Sequence, residues 1–426
     1  NAMASELSGQ MAASVSETSS KQMLDDATEA ADGSTSHVAA IAFSNIGHVY
    51  THLFTILYAT AVLHLPGVFG LPFGELLGLA SLGLTLYGVA ALPAGWLGDR
   101  WSQVGMMVVF FAGIGAGALV TGLAEDTADL FIGLTLIGLF ASIYHPVGIA
   151  WLVATARNRG MTLGINGAFG GLGSALAPVF VGAMIDYVSW RAAFLIPGGL
   201  ALLTALALAA LWARGSVRDS EQDRTPTPEQ DKQAMWRVFV ILSLTMACSG
   251  FVYAGVTNTL PKVFESGLGE SLATSYTRIG LYVGLVIGLS SLGSLVGGWL
   301  ADRYSARSIY ILFWFLLAPL LFMLTHLLGY TLLFIAFLVM LFNVSFAAAE
   351  NILVASYTPF RYRSLAYGAK FVLALGVGGL TVELAGFTFD STGSFTLVYS
   401  LFGVAALLAV AAAFALPRPR VVAARR

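Results

Sequence analysis

The chain has 426 residues, 57% apolar and 10% charged, with a mean hydropathy of +0.81. That balance excludes an ordinary soluble domain, and a lone cysteine, Cys248, excludes a disulfide framework. The net charge of −2 names no partner.

Residues 1–36 are Ser, Thr, Ala and acid with no apolar core, and read as a disordered cytoplasmic tail. Asn1-Ala2-Met3 reads as a remnant of cloning. No cleavable leader is expected, because the first apolar stretch is too long and stays in place. A spanning helix takes about 20 apolar residues. Residues 37–416 divide into twelve such stretches, roughly 38–63, 74–97, 103–123, 128–153, 161–187, 192–214, 236–261, 276–301, 308–328, 331–356, 364–389 and 394–416. The expected order is a six-helix bundle over 37–214, a solvated linker over 215–235 with Pro226, Pro228 and alternating charges, a second six-helix bundle over 236–417, and a basic cytoplasmic tail over 418–426. With both termini cytoplasmic, seventeen of the 21 Lys and Arg fall inside, and Arg191, Lys262 and Arg278 fall outside; Lys370 lies within a helix. That bias predicts a multi-pass protein of a bacterial inner (plasma) membrane in this orientation.

The sequence repeats itself. Gly95-Trp96-Leu97-Gly98-Asp99-Arg100-Trp101-Ser102 returns 203 residues later as Gly298-Trp299-Leu300-Ala301-Asp302-Arg303-Tyr304-Ser305. Arg159-x4-Gly164 matches Arg363-x4-Gly368, and Asp186 matches Asp390, both at an offset of 204. Three pairs with nearly one offset indicate two bundles related by duplication, the organisation of secondary transporters.

Gly-x-Leu-x-Asp-Arg between the second and third helix of each half resembles the cytoplasmic signature of the major facilitator superfamily, over nearly all of the chain from about Ser36 to Leu416. The resemblance implies an all-α membrane protein of twelve helices in two pseudo-symmetric six-helix bundles. It also makes Gly95, Asp99, Arg100, Gly298, Asp302 and Arg303 gating residues. The chain departs from the pattern downstream of the first copy, where Ser102-Gln103-Val104-Gly105 stands in place of the usual basic pair, and the second copy keeps only Arg307. The Gly-rich run Gly167 to Gly182, with Gly173, Pro178 and Gly182, resembles the helix-5 motif of the superfamily's antiporters, although Ala177 and Val181 replace two of its glycines. Its mechanical reading is close helix packing with a proline kink. Ser142-Ile-Tyr144-His145-Pro146-Val-Gly148 resembles the fosmidomycin-resistance branch of drug exporters.

Ionisable and polar groups inside spans are costly and are the candidate site. Helix 1 offers Asn45, His48 and His52 on one face, with Tyr50 turned elsewhere. Helices 4 and 5 offer Tyr144, His145 and Asn166, and helix 7 offers Tyr253 and Asn258. Helix 10 offers Asn343 and Glu350, and helix 11 offers Lys370. Glu350 and Lys370 both lie roughly 10–12 Å in from one side at 1.5 Å per residue, so they are expected to pair. The pair is either a structural lock or linked to substrate and protons. The duplication sets Asn166 opposite Lys370 and places Glu350 beside the register of His145. Each helix-1 histidine either bonds a neighbouring carbonyl or faces the substrate path; metal ligation is the lesser reading. A metalloenzyme is not expected, since Val49 follows His48 and His-Glu-x-x-His is absent.

The resemblance to proton-coupled drug exporters of the superfamily implies an acid in helix 1 or an arginine in the middle of helix 4. Here helix 1 has no acid and helix 4 has no arginine before Arg157, so a proton carrier is expected at Glu350 or a histidine. The expected function is a proton-coupled exporter, an antiporter, of a small amphipathic or anionic compound working by alternating access. The alternatives are a proton-coupled importer of an organic anion or nutrient, a carrier of a lipid-like molecule or metal ion, and a non-transporting sensor. The expected partners are a small-molecule substrate, protons and the lipid bilayer. No enzymatic activity, cofactor, resident metal or nucleic acid is expected, and the chain is expected to be a monomer.

Overall fold

A computed structural model describes residues 36–156, 158–219, 232–357, 370 and 372–416. Among these residues the chain is built from twelve helical spans. They are α1 (36–61), α2 (Phe73–Arg100), α3 (Gln103–Leu123), α4 (Thr127–Thr155), α5 (Arg159–Tyr187), α6 (Ala192–Ala213), α7 (Lys232–Gly267), α8 (Tyr276–Arg303), α9 (Ala306–Leu324), α10 (Gly329–Tyr357), α11 (Val372–Thr392) and α12 (Thr396–Phe414). Ten of them are each long and apolar enough to cross a membrane, and α2 qualifies as a pair, Phe73–Val89 and Ala91–Arg100, bent by 42°. In α1, Asn45, His48, Thr51, His52 and Thr55 lower the hydropathy. Helices are the form that satisfies every backbone polar group within one segment in lipid.

Local chemistry sets the starts. Ser102, Asp126, Asn158 and Ser275 accept from the N–H groups of Gly105, Asp129, Met161 and Arg278, capping α3, α4, α5 and α8. The sequence-based boundaries hold to within a few residues except at α7 and at the expected start of helix 11, residue 364, which lies outside the described residues. Helix α7 begins at Lys232, inside the predicted 215–235 linker, and runs through Pro261 to Gly267. A membrane helix tolerates an interior proline that would end a soluble one. Of the predicted tails, 1–35 and 417–426 lie outside the described residues, as do Arg363 and Gly368 of the repeat.

The halves meet along two pseudo-symmetric crossings, α5 on α8 and α11 on α2. Both bring backbone close to backbone at particular glycines. A Cβ on Gly182 or Gly280 would strike the carbonyl oxygens of Tyr276 and Pro178, and one on Gly379 would strike that of Ser81. Each crossing ends on a carboxylate at a helix N-terminus. Asp186 of α5 accepts from the N–H groups of Tyr276 (3.3 Å) and Thr277 (2.7 Å), at the start of α8. Asp390 of α11 accepts from those of Gly74 (2.8 Å) and Glu75 (2.9 Å), at the start of α2. Towards the Asp-Arg motifs the contacts give out: substituents on Gly164 and Gly167 of α5 would meet only open space. Among the described residues, the halves are therefore joined at the Asp186/Asp390 end, while α5 faces open space at Gly164 and Gly167.

Candidate functional site

Three helices of the first half converge on one polar cluster. Pro146 lacks an N–H, and α4 widens into a π turn over Tyr144–Gly148 around it. The turn sets Tyr144 and His145 side by side towards α1. His48 Nδ1 lies 2.7 Å from the carbonyl oxygen of Asn166, the stronger of its contacts, and its Nε2 lies 3.2 Å from His52 Nε2. Tyr144 stacks on His48 at 4.9 Å between ring centroids, while His145 stands edge-on to both α1 histidines at 5.5 and 5.6 Å. Asn166 donates to Asn45 Oδ1 at 3.0 Å and shares a hydrogen bond with the Tyr144 hydroxyl at 2.9 Å. His48, Asn45, Tyr144 and Asn166 are buried; His52 and His145 are partly open. Six residues singled out from the sequence thus form one network.

The packing is specific. Gly170 of α5 faces the His48 ring, and a methyl there would lie 2.5 Å from Nε2. A Cβ on Gly47 would lie 2.9 Å from the Tyr144 ring. Tyr87 of α2 closes the far side, its hydroxyl 2.9 Å from His145 Nε2. Tyr87 was not singled out from the sequence, where a lone tyrosine in a span looks like packing.

The second half carries its polar centre at the related place. Lys370 Nζ lies 2.7 Å from Glu350 Oε1 and donates to Asn351 Oδ1 at 2.7 Å. Tyr310 of α9, fully buried, donates to Glu350 Oε2 at 2.9 Å. The carboxylate is thereby held from α9 and α11 at once, which answers the cost of a buried charge. Where Glu350 meets Lys370 in the second half, Asn166 of α5 meets Tyr144 of α4 in the first, one residue before the His145 to which the offset pointed. Tyr253 of α7 reaches towards Tyr87 and Ser174 of the other half. Asn258 and Asn343 do not join either cluster. Asn258 donates to the Ala254 carbonyl of its own helix at 2.9 Å. Asn343 is buried, its Nδ2 without a hydrogen-bond partner among the described residues.

The profile of the Major Facilitator Superfamily matches residues 39–290 and 263–426. The chain belongs to this superfamily. Its curated relatives include a tetracenomycin C resistance and export protein of Streptomyces glaucescens, 32% identical over 121 residues, which are 28% of this chain and 22% of that protein. They also include a cis,cis-muconate transport protein of Acinetobacter baylyi, 25% identical over 253 residues, which are 54% of this chain and 58% of that one. The matched stretches therefore reach less than two thirds of either relative's length. Among solved structures, a peptide transporter POT in complex with sulfate superposes with a TM-score of 0.72 at 14% identity, over 89% of this chain and 94% of that chain. This likeness is one of fold.

The superfamily's repeated motif forms the motif-side ends of α2 and α8. In both copies the arginine folds back on the tryptophan one turn earlier: Arg100 lies 4.4 Å from the Trp96 ring centroid, and Arg303 lies 3.9 Å from that of Trp299. Gly95 and Gly98 rest on the π turn of α4, where a Cβ on each would lie 3.0 Å from Pro146 and 2.8 Å from Val147. The first motif thus abuts the turn that carries His145. In α5, a Cβ on Gly173 would strike the Val49 carbonyl of α1, and Gly182 and Pro178 lie in the crossing with α8.

Proposed function

We propose that the chain is a proton-coupled antiporter that exports a small anionic or amphipathic compound by alternating access. The observation that carries this reading is the buried 2.7 Å ion pair between Glu350 and Lys370. When Glu350 takes a proton, Lys370 loses its counter-charge. An unpaired lysine inside a bilayer costs about 2.5–3.5 kcal/mol, so the ammonium then favours an anionic substrate group. Loss of the proton restores the pair and expels the anion. One charge exchange therefore serves both ligands, with no acid in α1. The substrate lies between the halves, within reach of α1, α4, α5, α7, α10 and α11. The motif end faces the cytoplasm of a bacterial inner membrane, and the described arrangement is the inward-open one. The relative named for tetracenomycin C export supports outward movement.

Proteoliposomes with an imposed pH gradient test the reading. Glu350→Gln is expected to fold, to exchange substrate for substrate, and to lose gradient-driven accumulation. A folded variant that concentrates substrate normally would move coupling to His48 or His52. A second reading, uptake of an organic anion, is favoured by the longer match to a carrier named for cis,cis-muconate. Reversing the gradient in the same vesicles separates the two.

A further inference from the structure

Three imidazoles from two helices bring a ring nitrogen each within 4.8 Å of the other two. We propose that His48, His52 and His145 form a binding site for a divalent transition-metal ion of the zinc class. The Nε2 atoms of His48 and His52 are 3.2 Å apart. A tetrahedral ion with Zn–N distances of about 2.0–2.1 Å sets its nitrogens about 3.3–3.4 Å apart, so the α1 pair already has the required spacing. His145 closes the set by a side-chain adjustment of about 1.4 Å, within the reach of a torsion change.

The surroundings suit ligation. A metal-binding histidine ordinarily gives its other ring N–H to a carbonyl or carboxylate, which fixes the tautomer. His48 Nδ1 lies 2.7 Å from the Asn166 carbonyl, an acceptor only, so Nδ1 carries the hydrogen and Nε2 presents its lone pair. His145 is steadied by the Tyr87 hydroxyl and His48 by the Tyr144 ring. His52 and His145 are less buried than His48. An all-imidazole set favours Zn, Co, Ni and Cu over Mg and Ca. Three protein ligands leave the fourth position open. An ion there would carry two positive charges with no carboxylate among its ligands. Its fourth position would accordingly take an anion, on the face of the first half opposite Lys370.

The test is a Co2+ titration of the full chain in detergent, followed by visible absorption. One saturable site with the intense bands of four-coordinate Co2+ is expected, displaced by Zn2+. His52→Ala and His145→Ala should each weaken Co2+ binding by at least 10-fold, while His64→Ala leaves it unchanged. Weak six-coordinate absorption, no saturation, or unchanged affinity in the two cluster variants would overturn the assignment. Should a cluster variant fail to fold, electron paramagnetic resonance of Cu2+ on the unaltered chain decides. Hyperfine coupling to three imidazole nitrogens supports the site, and fewer overturn it.

Discussion

Gly170 has no side chain to offer the polar cluster, yet the cluster depends on it. The α5 backbone at this point is the wall against which the His48 ring rests. Gly170→Ala drives the imidazole off the Asn166 carbonyl instead of moving a helix, so its cost in stability belongs at the low end of the roughly 1–3 kcal/mol usual for overpacking. The expected outcome is normal folding with transport reduced about 10-fold; unchanged initial rates in vesicles would show that the His48 position is immaterial. Tyr310 makes the complementary case in the second half. Tyr310→Phe removes the one neutral donor to a buried carboxylate among the described residues and should cost about 1.5–3 kcal/mol, read as a lowered thermal midpoint. A midpoint unchanged within error would mean that Lys370 alone satisfies Glu350. The spacing of Asn45, His48 and His52, and the Glu350–Lys370 contact, were legible in the sequence because ionisable groups are rare in spans. Tyr87 and Tyr310 were not, since a buried tyrosine is equally at home as apolar filling.

At the scale of elements, Asp186 and Asp390 act as latches. Each places a negative charge on the positive N-terminal end of a helix from the other half, an interaction worth about 0.3–1 kcal/mol at an exposed site. Replacing either by Asn should raise the population open at that end roughly two- to fivefold, and the double replacement should multiply the two effects. A cysteine put at Asn258 in a Cys248→Ser background reports the change through its labelling rate by an impermeant thiol reagent from the Asp186 side. Rates equal to the parent's would leave the latches as ornament. The sequence showed this pair as a repeat but not as a contact, because an offset relates each residue to its copy and not to its partner. The twelve spans were legible from apolar runs alone. The bend in α2 and the π turn in α4 were hidden, since an apolar run marks a span without fixing its local path. Pro146 marked the second only as a generic interruption.

Among the described residues the molecule is two bundles joined along a pair of close crossings, with the duplicated motif at the ends away from Asp186 and Asp390. If the motifs gate that end, Asp99→Asn should lower the maximal transport rate far more than it raises the substrate concentration for half-maximal rate. A large loss of affinity at an unchanged maximal rate would assign Asp99 to the substrate. The orientation of Arg100 and Arg303 over Trp96 and Trp299 gives both free ends the same aromatic-cationic tip, suited to a membrane–water boundary.

The crossings themselves have a consequence for how such a chain can diversify. At Gly182, Gly280 and Gly379 the backbone of the other half lies where a Cβ would stand. These positions leave no room for a side chain, while the polar clusters project from other positions of the bundles. Selection can therefore rewrite the polar clusters without retuning these close approaches. It also means that these three positions have no conservative substitutions. A saturation scan should show two narrow stripes along α5/α8 and α2/α11 where even alanine is rejected, beside polar positions that accept many residues and return altered substrate preference.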